Sequence, residues 1–143
     1  MNQKKNKKNQ NAGFTLVEVL IVIALIATLG TYAGVKLIGK LKEGKIGATK
    51  IQLSGFQQAL QSYYLDNNQY PTTGQTLEAL ISKPTTGPEP KRYSSEGYFN
   101  KKTIPKDPWG NDYNYVCEDG QNYTISSAGP DGQLDTEDDV KTE

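Results

Sequence analysis

Histidine is absent from this 143-residue chain, and cysteine occurs once, as Cys117. Without an imidazole the commonest general base is missing, so ordinary triad chemistry and His-ligated zinc fall away. A lone thiol forms no internal disulfide, and Cys117 reads as a small strand residue rather than a reactive nucleophile. An excess of positive charge is missing too. Sixteen basic side chains balance 16 acidic ones, but Lys4, Lys5, Lys7 and Lys8 all stand in the first thirteen residues, which hold no acid. The remainder therefore carries 12 basic and 16 acidic side chains, net −4. A mildly acidic body is a poor match for phosphate, so no nucleic acid is expected. The carboxylates crowd onto one terminal loop with no pocket signature, so neither catalysis nor a small-molecule substrate is expected. Finally, charge is missing altogether between Glu18 and Lys36.

What fills that gap is apolar: Phe14 to Leu29 reads Phe-Thr-Leu-Val-Glu-Val-Leu-Ile-Val-Ile-Ala-Leu-Ile-Ala-Thr-Leu. As a helix, residues 14–35 extend about 33 Å, enough to cross a bilayer core of roughly 30 Å. Residues 1–13, polar and rich in Asn and Lys, read as a disordered leader. By the positive-inside rule, the leader lysines keep the N-terminus in the cytoplasm and send the rest outward.

Helical periodicity continues over 36–66, where Leu53, Phe56, Leu60 and Tyr63 or Tyr64 recur three and four residues apart. Gly39, Gly44, Gly47 and Gly55 each weaken it by roughly 1 kcal/mol relative to Ala. The pattern predicts one helix of about 50 residues, ending near Asp66 because Tyr70-Pro71 forces an extended or turn conformation. Its first half suits lipid and its second half a small domain. Lys36, Lys40, Lys42, Lys45 and Lys50 read as a solvated face that can also meet lipid head groups.

Residues 67–143 are short of regular structure. Thr76 is expected to cap a short helix, Leu77 to Ser82, stopped by Pro84. Five prolines fall in 84–110. Two strands are expected, Asp112 to Val116 and Asn122 to Ser127, with a hairpin turn over 117–121. Roughly 75 residues beyond the helix make a marginal core with no disulfide, so an additional stabilising device is expected.

Glu18 is the anomaly of the apolar segment. A carboxylate within a lipid-spanning helix costs roughly 2.5–3.5 kcal/mol on insertion scales. Cleavage between Gly13 and Phe14 creates an ammonium one helical turn before it, and the ammonium of one subunit could then neutralise Glu18 of the next. A Lys-rich leader, Gly13, then Phe14-Thr15-Leu16-Val17-Glu18 and an apolar run resembles the type III signal of prepilins and pseudopilins. That resemblance implies that a prepilin peptidase cuts after Gly13 and methylates Phe14, and that Glu18 recruits subunits into a fibre. The other reading is an ordinary signal peptide cut after Thr31-Tyr32-Ala33. Gly30 and Gly34 are expected to let the helix loosen when subunits pack.

Downstream, Tyr64-Leu-Asp-Asn-Asn-Gln-Tyr-Pro-Thr-Thr73, Leu77-Glu-Ala-Leu80, Lys83-Pro84, Ile104-Pro-Lys-Asp-Pro-Trp-Gly-Asn111 and Tyr113 occur in an order similar to the major pseudopilins of type II secretion, the general secretion protein G family. The resemblance implies an α+β pilin-like fold. In it a long N-terminal helix, transmembrane in its first half, packs on a small antiparallel sheet that ends in a C-terminal calcium loop. Trp109 is expected to anchor its loop to the helix or sheet.

The terminal stretch 129–139 crowds Asp131, Asp135, Glu137, Asp138 and Asp139 together. It is no EF-hand, because Thr136 stands where the invariant Gly belongs and Thr142 where the bidentate Glu belongs. From residues alone, a solvated acidic tail is about as good a reading as a cation site. The family resemblance implies calcium held by Asp131, Asp138 and Asp139 with the carbonyls of Ala128 and Thr136. Ala128 and the low glycine content of 134–136 depart from the family pattern.

The resemblance further implies a homopolymeric periplasmic pseudopilus that pushes folded proteins outward. Its implied partners are minor pseudopilins, the prepilin peptidase, the inner-membrane secretion platform and membrane lipid. The implied location is single-pass in the inner membrane with residues 67–143 in the periplasm. Other readings are a type IV pilin of a surface fibre, disfavoured by the lone Cys117, a minor tip pseudopilin, and a secreted soluble protein.

Overall fold

The computed structural model describes residues 13–142. The disorder expected for the leader falls, apart from Gly13, outside the described residues. The chain divides into two compact units, residues 1–40 and 41–143, and one helix, α1 (Leu16–Asn67), contributes to both.

In the first unit the described side chains of α1 are exposed. Leu16 (78 % exposed), Ile26 (64 %) and Leu29 (68 %) represent a run of bare aliphatics that nothing among the described residues covers. A helix apolar all round is built for an apolar surround. By length and composition α1 can cross a membrane. Thr28 and Thr31 return their hydroxyls to Ala24, Leu25 and Ala27 carbonyls, so the polar groups of this stretch are satisfied within the helix.

In the second unit one stripe of α1 is buried: Leu53, Phe56, Ala59, Leu60 and Tyr63. The three- and four-residue spacing puts them on one face, and the sequence pattern is borne out, with Tyr63 rather than Tyr64 inward. Phe56 stacks on Phe99 at 4.8 Å and meets the edge of Tyr113 at 5.1 Å between ring centroids. Burying a side chain such as Phe56 or Leu60 stabilises by about 1.5–3 kcal/mol. The helix stops one residue past the expected point. Asn68 adopts φ +57° and its N–H reaches the Tyr64 carbonyl at 2.7 Å, a left-handed C-terminal cap. Asn67, buried, donates to the Tyr63 carbonyl and accepts from the Arg92 N–H.

The sheet has three antiparallel strands in the order β1 (Asn114–Val116), β2 (Thr124–Ser127), β3 (Val140–Lys141). Tyr115 pairs with Ile125, and Ser127 with Val140; Tyr115, Ile125, Ser127 and Val140 are all buried. Both expected strands occur but begin two residues later than expected, and the connection between them runs from Cys117 to Tyr123. The sequence did not indicate β3, because a two-residue strand has no period to read. The short helix after Thr76 also needs correction. Thr76 caps it, accepting from the Glu78 N–H at 3.2 Å, but the turn is a 3-10 helix that closes at Leu80. A second 3-10 turn, Thr73–Gln75, precedes it.

The proline-rich stretch is held by buried polar side chains. Gln75 donates to the carbonyls of Thr86 and Pro88, each at 2.8 Å, and accepts from the Thr72 N–H. Trp109 packs half-buried against the core, with the Lys45 ammonium 5.8 Å from its ring centre. That is the anchoring role expected of it.

Candidate functional site

Two places answer to the residues singled out from sequence. The first is the start of α1. Gly13 and Phe14 lie ahead of the helix, and Phe14 is 88 % exposed. Thr15 is the N-cap. Its hydroxyl accepts from the Glu18 N–H at 3.2 Å, while Glu18 Oε2 accepts from the Thr15 N–H at 2.9 Å and its hydroxyl at 3.0 Å. This reciprocal pair is a capping box, spelled Thr-x-x-Glu in the sequence. Sequence reasoning found no basic side chain near Glu18 in the apolar segment; the structure adds a neutral partner, Thr15, three residues back. Both Thr15 contacts fall on Oε2; the second carboxylate oxygen, Oε1, takes part in neither.

The second place is the terminal loop, and its ends are pinched together. Gly129 has φ +67°, and a Cβ there would stand 2.3 Å from the Asp138 carbonyl oxygen, so only glycine passes. Asn111 Nδ2 donates to the Gly129 carbonyl at 3.3 Å. Within the loop, Asp138 and Asp139 converge on the Thr136 hydroxyl, which donates to Asp138 Oδ1 at 2.7 Å and lies 3.5 Å from Asp139 Oδ1. The Thr136 carbonyl accepts from the Asp139 N–H at 3.4 Å. Asp131 accepts from the Gln133 N–H at 2.9 Å. Ala128 is buried at the loop's entrance.

Asp139 is the buried acid of the loop, with its side chain 2 % exposed. Its Oδ2 accepts from the Asp135 N–H at 2.9 Å and faces the Lys141 ammonium at 3.3 Å. Burial pushes this carboxyl up, but the Asp135 N–H, Lys141 and the Thr136 contact outweigh it and hold the group below the usual aspartate value. The donors are all oxygens, which suits a hard cation such as calcium and not a transition metal. The geometry brings Asp138, Asp139 and Thr136 together and leaves Asp131 apart. Among the described residues, no three acidic, imidazole or thiol side chains converge on one point.

Sequence reasoning missed two groups that shape this region. Asp107, buried, accepts from the Trp109 and Asn111 N–H groups and from Ser127. Lys141 had no signal beyond its charge.

Residues 36–142 match the family described as type II secretion system, protein G. Residues 8–33, which contain Gly13, Phe14 and Glu18, match the prokaryotic N-terminal methylation motif. The chain is 40% identical over 134 residues to the type II secretion system core protein G of Escherichia coli K12, covering 92% of this chain and 90% of that one. The protein of the same description from Aeromonas hydrophila is 40% identical over 136 residues, covering 94% and 93%. That from Pseudomonas aeruginosa is 33% identical over 138 residues, covering 94% and 96%. The crystal structure of the major pseudopilin from the type 2 secretion system of enterohaemorrhagic Escherichia coli superposes with a TM-score of 0.67 at 41% identity. It covers 74% of this chain and 88% of that chain.

Proposed function

The chain belongs to the family of type II secretion system protein G, and on that premise we propose that it is the structural subunit of a secretion pseudopilus, polymerising through its N-terminal helix to help export folded proteins. The observation that carries the reading is the succession of two matches in order along the chain, the methylation motif over 8–33 and the protein G family over 36–142. The bare aliphatic helix of the first unit supports a single membrane span before assembly. The leader lysines support an inner-membrane anchor with the folded unit in the periplasm. A prepilin peptidase, minor pseudopilins and the inner-membrane platform are the partners this reading requires.

Processing at Gly13–Phe14 belongs to the proposal. It removes the lysines that set the chain's orientation, leaves the apolar helix as the anchor, and creates an ammonium next to the capping box. Glu18 keeps Oε2 on Thr15, and Oε1 is the atom that accepts the ammonium of an adjoining copy. In a low-dielectric surround that pairing is strong enough to set the axial register between subunits. Calcium on the terminal loop is proposed too, with Asp138, Asp139 and Thr136 as its nearest oxygens and Asp131 and the Ala128 carbonyl completing the set. When bound, the ion neutralises crowded carboxylates and ties the loop to β3.

Co-expression with a prepilin peptidase tests the central claim. The expected product begins at N-methylated Phe14 and is recovered in fibres sheared from the cell envelope. A mature chain beginning at Gly34, or processed chains that never polymerise, overturns it. For calcium, chelation is expected to lower the melting temperature; an unchanged melt removes the ion from the account.

A further inference from the structure

The one lysine of β3 stands inside the acidic loop rather than beside it. Val140 is buried and Ser127 lies opposite it, while Lys141 pairs with Ser126. That register delivers the Lys141 ammonium 3.3 Å from Asp139 Oδ2 and 3.6 Å from Asp135 Oδ1. The two contacts are unequal. Asp135 is 94% exposed, and an ion pair in water contributes little. The Asp139 side chain is 2% exposed, and a carboxylate without water needs its charge met by the protein. Lys141 itself is 55% exposed, so its ammonium can swing back into solvent without being buried unpaired. Lys42 and Lys50 of α1 line the same groove as Glu137, Asp138, Asp139 and Lys141, so ammonium groups and carboxylates face one another there.

We infer that Lys141 is the resident counter-ion of the terminal loop, competing with a divalent cation for Asp139 and so setting how strongly the loop takes calcium. The inference rests on the calcium reading above for its second half only. A calcium ion draws six to eight oxygens to itself, and Asp139 can offer Oδ2, the oxygen 3.3 Å from the Lys141 ammonium, only by giving up that ammonium. The lysine carries one charge, is covalently attached and is always present. It therefore keeps the loop's buried acid neutralised at low calcium, and yields when two charges arrive at sufficient concentration.

The test uses the processed full chain in detergent micelles, comparing Lys141→Gln with the unaltered protein. Lys106→Gln is the control, because it removes another surface ion pair, with Asp112 at 3.0 Å. Melting temperature in chelator and calcium titration by calorimetry are the two readouts. In chelator, Lys141→Gln is expected to melt about 4 °C lower. With calcium it is expected to bind about fivefold more tightly, the change one partly buried ion pair can make. Lys106→Gln should leave calcium affinity unaltered. An unchanged melt in chelator overturns the counter-ion role, and calcium affinity equal to or weaker than that of the unaltered protein overturns the competition. Should neither protein take calcium while Lys141→Gln still melts lower, the calcium reading and the competition both fall and the counter-ion role is supported.

Discussion

The Ser127 hydroxyl donates a 2.6 Å hydrogen bond to Asp107 Oδ2, joining the end of β2 to the loop that carries Trp109. Asp107 is 5% exposed, and its other oxygen accepts from the Trp109 and Asn111 N–H groups at 3.0 and 2.8 Å. Ser127 Oγ accepts in turn from the Gly129 N–H at 3.2 Å. One carboxylate thus fixes the tryptophan loop, the central strand and the first residue of the terminal loop. Asp107→Ala is expected to cost about 3 kcal/mol, since it leaves three donors unmet in a buried place. Ser127→Ala is expected to cost about 1–2 kcal/mol. Chemical denaturation measures both, and a cost below 1 kcal/mol for Asp107→Ala contradicts the clasp.

A second buried oxygen behaves oppositely. Among the described residues the Tyr63 hydroxyl has no hydrogen-bond partner, although its ring packs on Tyr98 at 5.2 Å. Tyr63→Phe removes only the unmet group and is expected to be neutral or to stabilise by up to about 1 kcal/mol. Tyr115→Phe is expected to destabilise by about 1 kcal/mol, because the Tyr115 hydroxyl donates to the Pro71 carbonyl at 2.7 Å. The opposite ranking in a melting series counts against this accounting of hydrogen bonds.

The tyrosines also set an alkaline limit. Burial pushes Tyr113 up to about 12, with Asp107 adding to the rise. Burial likewise pushes Tyr93 up to about 12, with Tyr98 and Tyr63 contributing, and Tyr115 rises further still. The unfolded chain releases these protons near pH 10, so between pH 10 and about 12 it binds fewer protons than the folded chain. Stability is therefore complete below pH 10 and falls as pH rises through that window. Spectrophotometric titration should show late tyrosinate signals appearing together with loss of structure. Full ionisation near pH 10 with the fold intact is the contrary result.

At Glu18, cap and charge can be separated. Gln at the third helical position also completes a capping box, so Glu18→Gln keeps the helix start and removes only the charge. It is expected to abolish polymerisation while leaving helix content by circular dichroism unchanged. Polymerisation at the unaltered level makes the capping box, not the charge, the reason for a glutamate there.

Legibility followed the range of the interactions. The span of α1 and its inward stripe rest on residues three or four apart and the cap at Thr76 on residues two apart, and the sequence displays them directly. The Thr15–Glu18 box is equally local, written Thr-x-x-Glu in the chain. Strand starts shifted by two residues because Asp112 and Asn122 lie next to the strands without ladder partners of their own. Gln75, by contrast, reaches Thr86 and Pro88 across 11 and 13 residues of irregular chain, and no periodicity announces such a contact.

By itself the amino-acid order determined the apolar helix and the charge asymmetry across it, because both depend on near neighbours and on transfer from water to an apolar phase. Tertiary structure alone decided which acids meet which partners. Asp107 finds Ser127 twenty residues away, and Lys141 comes to Asp139 only once β3 has paired in register with β2. Chain closure over such distances is governed by packing of the whole core, and the identity of a charged residue does not say which charge the fold will bring to it.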